Sequence, residues 1–287
     1  MPGRFPERIV CLTEETTEVI YLLGEQDRIV GISGYTVRPP QARQKPKVSA
    51  FINAKFDKII ELSPDLVLAF SDLQADIAAE LIRRGCYVFT FNQRTVEQIL
   101  DMILTLGRLL DRKEKAETLV ASYLKDFELI RSSAERFKFR PRVLFEEWDE
   151  PLISGIAWVE ELLEIAGAQP IFPELRSMKS ARDRIVDPAT VIERDPQVII
   201  ASWCGRPVKK PRISARKGWD QITAVKNDDI YEIKSTYILQ PGPAALTEGL
   251  RQLHFILAHV QGLDVSPHLL PQESIDKKLQ VAKSTNQ

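Results

Sequence analysis

The sequence lacks several features that would assign it to a class at once. Only three cysteines occur among 287 residues, at positions 11, 86 and 204, and they form no CxxC pair. This usage provides no disulfide framework and fits a reducing compartment. Acidic residues number 40 and basic residues 39, so the formal net charge is −1. That balance argues against nucleic acid as the main partner, because such proteins usually carry a basic excess.

Long hydrophobic runs are also missing. No stretch approaches the ~20 apolar residues that cross a bilayer. The segment Met1–Arg8 runs straight into Ile9–Leu12, without the apolar core of about 7–15 residues and the small-residue cleavage site of a secretory signal. We therefore expect a cytoplasmic protein that does not insert into a membrane. A periplasmic location is the alternative if the start codon is misassigned.

Catalytic and cofactor motifs are not apparent. The sequence contains no GxGxxG and no P-loop. Its three histidines, His254, His259 and His268, form neither a metal-ligand set nor part of a recognisable Ser–His–Asp arrangement. We expect no enzyme activity, no catalytic residues, no bound metal and no required cofactor.

What is present is an alternation of short apolar runs with longer amphipathic ones. This pattern is typical of βα units and of a mostly parallel sheet. Helices are expected after the first strand, over Ala75–Arg84, over Trp158–Ala166 and from Pro243 to about Val260. Strands are predicted at Arg8–Leu12, Arg28–Ile32, Leu66–Ala69, Cys86–Thr90, Arg142–Phe145, Val198–Ala201 and Ile230–Ile233.

The middle of the chain departs from this alternation. Residues 95–137 contain no proline, and their apolar residues recur at helical spacing, which predicts two helices with a break near Leu110–Asp111. A second helix of about 25 residues would be roughly 40 Å long at 1.5 Å per residue. We predict an N-terminal α/β lobe (1–110), a linking backbone helix (111–139), a C-terminal α/β lobe (140–264) and a polar tail (265–287).

The two lobes look duplicated. The segment Ile60–Ala69 aligns without a gap with Ile192–Ala201, sharing glutamate, proline and alanine. A weaker match sets Arg8–Val10 against Arg142–Leu144. Two similar α/β lobes joined by one long helix would enclose a ligand cleft. Because ligands bind at the carboxyl ends of parallel strands, the loops after the strands should line it.

Those loops are rich in aromatic side chains, which suit a large, flat, partly apolar ligand. Any single aromatic there is more often packing than a ligand contact, but a ring after several strands favours binding. The candidate ligand-binding residues are Glu15, Tyr35, Phe70, Phe91, Glu147, Trp148, Trp203, Cys204 and Tyr237.

A cluster of four carboxylates spans Glu146–Glu150. It lacks the spacing and glycine of a calcium loop, and a solvated acidic loop is the plain alternative. Two basic loops, Met178–Arg184 and Arg206–Lys217, are read by default as solvated surface, with an anion contact as the alternative.

Several segments together resemble a known family. They are Arg8–Leu12, Thr16–Glu18, Leu22–Gly24, Pro64–Val67, Trp148–Gly155, Ala166–Gly167 and Ile238–Pro243. With these, residues 7–262 resemble the cobalamin-type periplasmic binding proteins, the class of ABC-transporter substrate-binding proteins whose two lobes share one backbone helix.

The resemblance implies a cobalamin or related corrinoid held between the lobes by aromatics, with Phe70, Trp148, Trp203 and Tyr237 as the best candidates. It also implies docking on an ABC permease through one acidic residue per lobe. Asp76 falls at the first docking position, whereas the repeat offset puts Val208 at the second, so the C-terminal lobe departs from the pattern. Two alternatives stay open: a haem or iron–siderophore binding protein of an importer, and an enzyme that uses Glu146, Glu147 or Cys204.

Overall fold

The computed structural model describes residues 5–272, Asp276 and Leu279. The chain divides after Ser122 into two compact units. Each unit is built on its own sheet, and nearly all strand pairs in both sheets are parallel. The predicted α/β class with two lobes and mostly parallel sheets is confirmed.

The first unit contains a six-stranded sheet of order β4-β3-β2-β1-β5-β6. Only the β3–β4 pair is antiparallel. In the centre Ile9 of β1 lies beside Ile29 of β2 and Leu66 of β5, so the buried apolar runs predicted as strands occupy the middle of the sheet. The strands are β1 (Ile9–Cys11), β2 (Ile29–Ser33), β3 (Lys47–Ala50), β4 (Asn53–Ala54), β5 (Leu66–Phe70) and β6 (Val88–Phe91).

Four helices accompany this sheet, and a fifth begins in the first unit. They are α1 (Glu14–Leu22), α2 (Phe56–Glu61), α3 (Ala75–Arg83), α4 (Val96–Leu109) and α5 (Lys113–Ala134). Short 3₁₀ turns lie at Gln26–Arg28, Pro40–Gln44 and Asp72–Gln74. The predicted break between α4 and α5 is confirmed, since Asp111 has φ +59° and this left-handed conformation cannot continue a helix.

The second unit contains a five-stranded sheet of order β11-β10-β7-β8, with β9 paired to the first half of β7. Only β7 and β8 run antiparallel. The strands are β7 (Arg142–Asp149), β8 (Leu152–Ser154), β9 (Gln169–Pro170), β10 (Val198–Ala201) and β11 (Ile230–Glu232).

The helices of this unit complete the fold. They are α6 (Ala157–Ile165), α7 (Pro188–Arg194), α8 (Lys210–Ser214), α9 (Thr223–Lys226), α10 (Ser235–Ile238) and α11 (Leu250–Val260). A π-helical turn, Ala245–Gly249, precedes α11. Short 3₁₀ turns lie at Pro173–Leu175, Ala181–Arg184, Trp219–Gln221 and Pro267–Leu269.

The internal repeat is visible in the structure as the same hydrogen-bonding arrangement in both units. The guanidinium of Arg8, just before β1, donates to the two carbonyls that precede Pro64, at 2.6–3.2 Å. The guanidinium of Arg142, at the start of β7, donates to the two carbonyls that precede Pro196, at 2.7–3.3 Å. Both sequence matches thus correspond to equivalent positions of two similar units.

One expectation about local structure is wrong. The sequence predicts a loop at Glu146–Asp149, but β7 continues through this segment to Asp149. The strand is extended because β8 folds back beside it, pairing Trp148 with Ile153 and Asp149 with Leu152. This hairpin places the acidic cluster on the sheet.

The helical spacing of apolar residues predicts the linking helix, and polar composition predicts the tail. α5 runs from Lys113 to Ala134, inside the predicted range 111–139, and the unit boundary falls within it. The four predicted segment ranges stay a prediction. Most of the predicted tail, 265–287, lies outside the described residues. None of the helices in the described part of the chain has both the length and the apolar character of a bilayer crossing.

Candidate functional site

Four of the predicted ligand-binding residues lie at one edge of the first sheet. Because β1, β2, β5 and β6 are parallel, their carboxyl ends share this edge. Glu15 follows β1, Tyr35 follows β2, and Phe70 and Phe91 are the last residues of β5 and β6. Phe70 and Phe91 are register partners. The structure therefore brings these four positions to the edge where parallel sheets bind ligands.

A pair of buried glutamates starts α1 at this edge. Burial raises the pKa of Glu14. Burial, reinforced by the neighbouring charge of Glu14, raises the pKa of Glu15 to about 8. The Thr13 hydroxyl donates to Glu15 Oε1 at 2.7 Å. At neutral pH Glu15 is therefore largely a protonated acid held beneath the edge rather than a charge exposed on it.

The turn after β5 is fixed by Gln74. Its Oε1 accepts from the Phe70 amide at 2.9 Å, and its Nε2 donates to the Phe51 carbonyl at 2.7 Å. Ser71 has φ +54° and its hydroxyl accepts from the Leu73 amide at 3.3 Å. These bonds hold the Phe70 backbone in place at the edge.

The aromatics of the first edge differ in exposure. Phe70 and Phe91 are buried, whereas Tyr35 is 59% exposed. The guanidinium of Arg94, three residues beyond β6, lies 5.2 Å from the Phe70 ring centroid. Sequence reasoning missed Arg94, because nothing in its local pattern ties it to a ring 24 positions earlier. Among the predicted ligand-binding aromatics at this edge, Tyr35 is therefore the one whose ring is exposed enough for a ligand to contact.

The corresponding edge of the second sheet brings together the remaining predicted residues. Glu147 and Trp148 lie near the end of β7, Trp203 and Cys204 follow β10, and Tyr237 lies in α10 after β11. All three strands are parallel. Trp148 and Tyr237 are half-buried and Cys204 is exposed.

Trp203 is a core residue of this unit. It is 2% exposed and belongs to an apolar cluster in the core of the second unit. Its indole Nε1 donates to Glu146 Oε1 at 2.9 Å. The Trp203 ring is therefore part of the core at this edge, whereas Trp148 and Tyr237 have side-chain surface that is accessible to solvent.

The acidic cluster is neutralised by the two basic loops. Glu146, fully buried, accepts two bonds from Arg216 at 2.6 and 2.9 Å. The buried Arg184 donates to Glu147 at 2.5 Å. The default prediction of solvated surface for both loops is wrong for these two arginines, because each is paired with a carboxylate of the acidic cluster. The partner lies 37 positions away in the sequence for Arg184 and 70 positions away for Arg216.

The end of the cluster carries two more arginines. Asp149 pairs with Arg206 and, through its other oxygen, with Arg212 at 3.1 Å. Arg206 also stacks on two rings, with its Cζ 4.0 Å from the Trp148 centroid and 5.1 Å from that of Trp203. Sequence reasoning placed Arg206 in a basic loop and assigned it no role of its own. The only indication of a role was the alternative that this loop contacts an anion.

The arrangement provides no evident acid–base pair. Glu146 and Glu147 are held in charge-assisted bonds to arginine. Among residues 5–272, Asp276 and Leu279, no group of three or more His, Cys, Asp or Glu side chains is placed to hold a metal ion. What the two edges offer chemically is flat aromatic and guanidinium surface with polar rims.

The predicted docking residue lies on α3, which follows the turn after β5. Asp76 is exposed in the first turn of α3. In the second unit the Val208 amide donates to Glu232 Oε1 at 3.0 Å. The repeat offset in the sequence sets Val208 against Asp76, and the docking role stays a prediction.

Comparison with known proteins identifies relatives over most of the chain. A family model described as periplasmic binding protein matches residues 9–237. An uncharacterized ABC transporter substrate-binding lipoprotein of Bacillus subtilis is 26% identical, covering 86% of this chain and 79% of the relative. A vitamin B12-binding protein of Vibrio parahaemolyticus is 24% identical, covering 84% of this chain and 86% of the relative.

A solved structure gives the same result for the fold. A possible iron-binding, periplasmic solute-binding protein of Staphylococcus epidermidis superposes with a TM-score of 0.76 at 25% identity. The match covers 88% of this chain and 99% of that protein. The two-unit α/β architecture is therefore shared over nearly the whole length of a solute-binding protein.

Proposed function

Since the chain belongs to the periplasmic binding protein family, we propose that it binds a cobalamin or related corrinoid without chemically changing it. The protein would act as the substrate-binding component of an ABC transporter. The ligand would lie against the carboxyl edge of a sheet, where Tyr35 in the first unit and Trp148 and Tyr237 in the second carry accessible aromatic surface.

One observation supports this proposal more strongly than any other observation does. Parallel topology gathers the aromatics from distant parts of the chain at the carboxyl edges of the sheets. Tyr35, Trp148 and Tyr237 are exposed or half-buried there, and aromatic faces of this kind suit a flat macrocycle with an apolar face. The carboxylates that could have supported catalysis are occupied by arginines.

The choice of a corrinoid rests on two further points. The segments Trp148–Gly155 and Ile238–Pro243 resemble the corrinoid-binding branch, and the Vibrio relative is named for vitamin B12. An iron-containing ligand, either haem or a ferric siderophore, is the second candidate, because the Staphylococcus structure is described as a possible iron-binding protein.

Absorbance titration of the purified protein separates these candidates. Cyanocobalamin, haemin and a ferric siderophore are titrated in parallel, with thermal unfolding recorded at saturation. A true ligand at 100 to 1,000 times its Kd should stabilise the fold by roughly 2.7–4.1 kcal/mol. We expect this for cyanocobalamin. Stabilisation by haemin alone would overturn the corrinoid assignment, and no response to any ligand would overturn the proposal.

Two tyrosines form a matched pair for mapping the contact. Tyr35 is 59% exposed at the carboxyl edge, and Tyr87, 78% exposed, precedes β6 at the opposite edge of the same sheet. Tyr35→Ala should weaken binding roughly tenfold, equivalent to about 1.4 kcal/mol, while Tyr87→Ala leaves it unchanged. Equal effects of the two variants would remove the first edge from the proposed contact.

Docking on a permease is proposed through Asp76. Asp76→Asn should leave ligand binding in solution unchanged but reduce uptake of labelled ligand by cells. Asp101→Asn, at another exposed carboxylate, on α4, is the control. Uptake that is the same in both variants would contradict the docking role.

The relatives bear on where this function is performed. Two of the three are described as a lipoprotein or a periplasmic protein, so they support the periplasmic alternative and give no support to a cytoplasmic location. We propose an extracytoplasmic receptor. Protease accessibility of the native protein in spheroplasts, compared with a cytoplasmic marker, tests this location.

A further inference from the structure

The carboxyl edge of the first sheet contains buried polar side chains as well as the exposed ring of Tyr35. They follow the carboxyl ends of β1, β2 and β5, and each is at most 8% exposed: Thr13, Glu14, Glu15, Ser33, Thr36 and Ser71. Buried polar groups are almost always hydrogen-bonded. Any member of this set whose hydrogen-bonding capacity is not used within the protein is therefore a candidate for a bond to a ligand.

The two carboxyl groups in this set are not paired with a cation. Among the described residues, no basic side chain forms an ion pair with Glu14 or Glu15. One turn further along α1, Glu18 pairs with Arg38 at 3.3 Å. A buried carboxyl group without a cation is favoured in its neutral form, and burial raises the pKa of Glu15 to about 8. Glu15 is therefore a neutral acid that can both donate and accept hydrogen bonds.

The Thr36 hydroxyl is a second hydrogen-bonding group at this place. Thr36 is 1% exposed, and its Oγ1 has no hydrogen-bond partner among the described residues. The Thr36 amide donates to the Ser33 carbonyl at 3.2 Å, and the Ser33 hydroxyl bonds the Glu14 carboxyl group, so Thr36 lies close to the start of α1. An unsatisfied buried hydroxyl is unfavourable, and a ligand group that bonds to it would remove this penalty.

We propose, resting on the proposed binding function, that Glu15 and Thr36 are specificity-determining residues that bind an uncharged carboxamide arm of the ligand. The Thr13 hydroxyl donates to Glu15 Oε1 at 2.7 Å, which leaves the acidic proton on Oε2, where it can be donated to the amide carbonyl. The Thr36 hydroxyl can accept from the amide N–H. A carboxylate arm would bring a charge to buried acids that have no cation, which is unfavourable. The two residues therefore select an amidated rim over an acidic one.

Two corrins that share a ring test this selection by absorbance titration. Dicyanocobinamide has an amide rim, and dicyanocobyrinic acid carries carboxylates in its place. The wild-type protein should bind the amide at least about tenfold more tightly than the acid, as two additional hydrogen bonds would give. Glu15→Leu and Thr36→Val should each reduce that ratio to about threefold or less, by weakening the binding of the amide alone. Glu15→Gln keeps an uncharged donor and acceptor and should preserve the wild-type ratio.

The chain offers a matched control for the threonine. Thr17 is also buried on α1, but its hydroxyl donates to the Thr13 carbonyl at 3.2 Å. Valine has nearly the shape of threonine without the hydroxyl, so Thr17→Val loses a bond that stabilises the fold and Thr36→Val loses none. Chemical denaturation should show a loss of stability for Thr17→Val only, and the amide-to-acid ratio should fall for Thr36→Val only.

The outcomes separate this inference from the proposed function. Equal binding of the two corrins by wild type, or tighter binding of the acid, overturns the inference while corrinoid binding stands. The inference is also overturned if Glu15→Gln lowers the ratio as much as Glu15→Leu does, or if the two threonine variants lower it equally, because the side chains would then act on packing alone. Failure of both corrins to bind overturns the corrinoid function and the inference with it.

Discussion

At the scale of single residues, the titratable groups at the candidate edges are distinguished by burial and by their partners. Glu15 is buried beside another glutamate, so its pKa is raised to about 8. Glu146 is buried just as deeply but has a bidentate arginine. Burial raises the pKa of the Glu146 carboxyl as well, but the Arg216 guanidinium opposes that rise, and each arrangement has a measurable consequence for stability.

Glu15 should make the protein less stable as the pH rises. Its folded pKa of about 8 exceeds its unfolded value near 4.5, so the folded state binds more protons between these pH values and stability falls across that window. Glu15→Gln should remove this pH dependence. The unfolding free energy of the variant should therefore rise relative to that of wild type by roughly 3–4 kcal/mol as the pH goes from 5 to 8. Denaturant unfolding at both pH values measures it. A gain that is the same at both would contradict the assignment.

The Glu146–Arg216 pair should be destabilised strongly by removing one partner. Arg216→Gln leaves a buried carboxylate uncompensated and should cost about 3–5 kcal/mol of unfolding free energy. The double variant Glu146→Gln with Arg216→Gln should recover much of that loss. Additive effects in this double-mutant cycle would show that the two side chains are not coupled.

At the scale of elements, the sequence predicts strands better than it predicts what happens at their ends. The strand Val198–Ala201 has the bounds expected from its apolar run, because continuous burial leaves a clear hydrophobic signal. The apolar run predicts that β7 ends at Phe145, whereas the strand continues to Asp149 through residues that are mostly charged. Their pairing with β8 and with distant arginines is tertiary, and no local pattern encodes it.

The repeated turn before β5 and β10 also belongs to this scale. Ser63 has φ +47° and Asp195 has φ +41°, a left-handed conformation that non-glycine residues adopt at a cost of about 1–2 kcal/mol. Ser63→Gly should therefore stabilise the first unit by about 0.5–1 kcal/mol. The control is Ser132→Gly on α5, which should destabilise by about 0.5–1 kcal/mol. Chemical denaturation of both variants compares the signs, and a loss at Ser63 would contradict the account.

At the scale of the whole molecule, the duplication and the parallel topology were readable from sequence, and they determine where the candidate residues lie. Positions as far apart as 35 and 91 reach one edge because their strands are parallel members of one sheet. The sequence could not predict which aromatics are buried. Trp203 and Tyr35 both follow strands, but an indole-to-carboxylate bond and the surrounding core bury the first, whereas the second remains exposed.

The ligand's position is the most direct test of the central claim that this family member binds a flat macrocycle at its carboxyl edges. A crystal structure with cyanocobalamin should show the corrin ring in contact with at least one of Tyr35, Trp148 and Tyr237. Density for the corrin only at the amino edge of a sheet, or on a surface with none of these rings, would contradict the account.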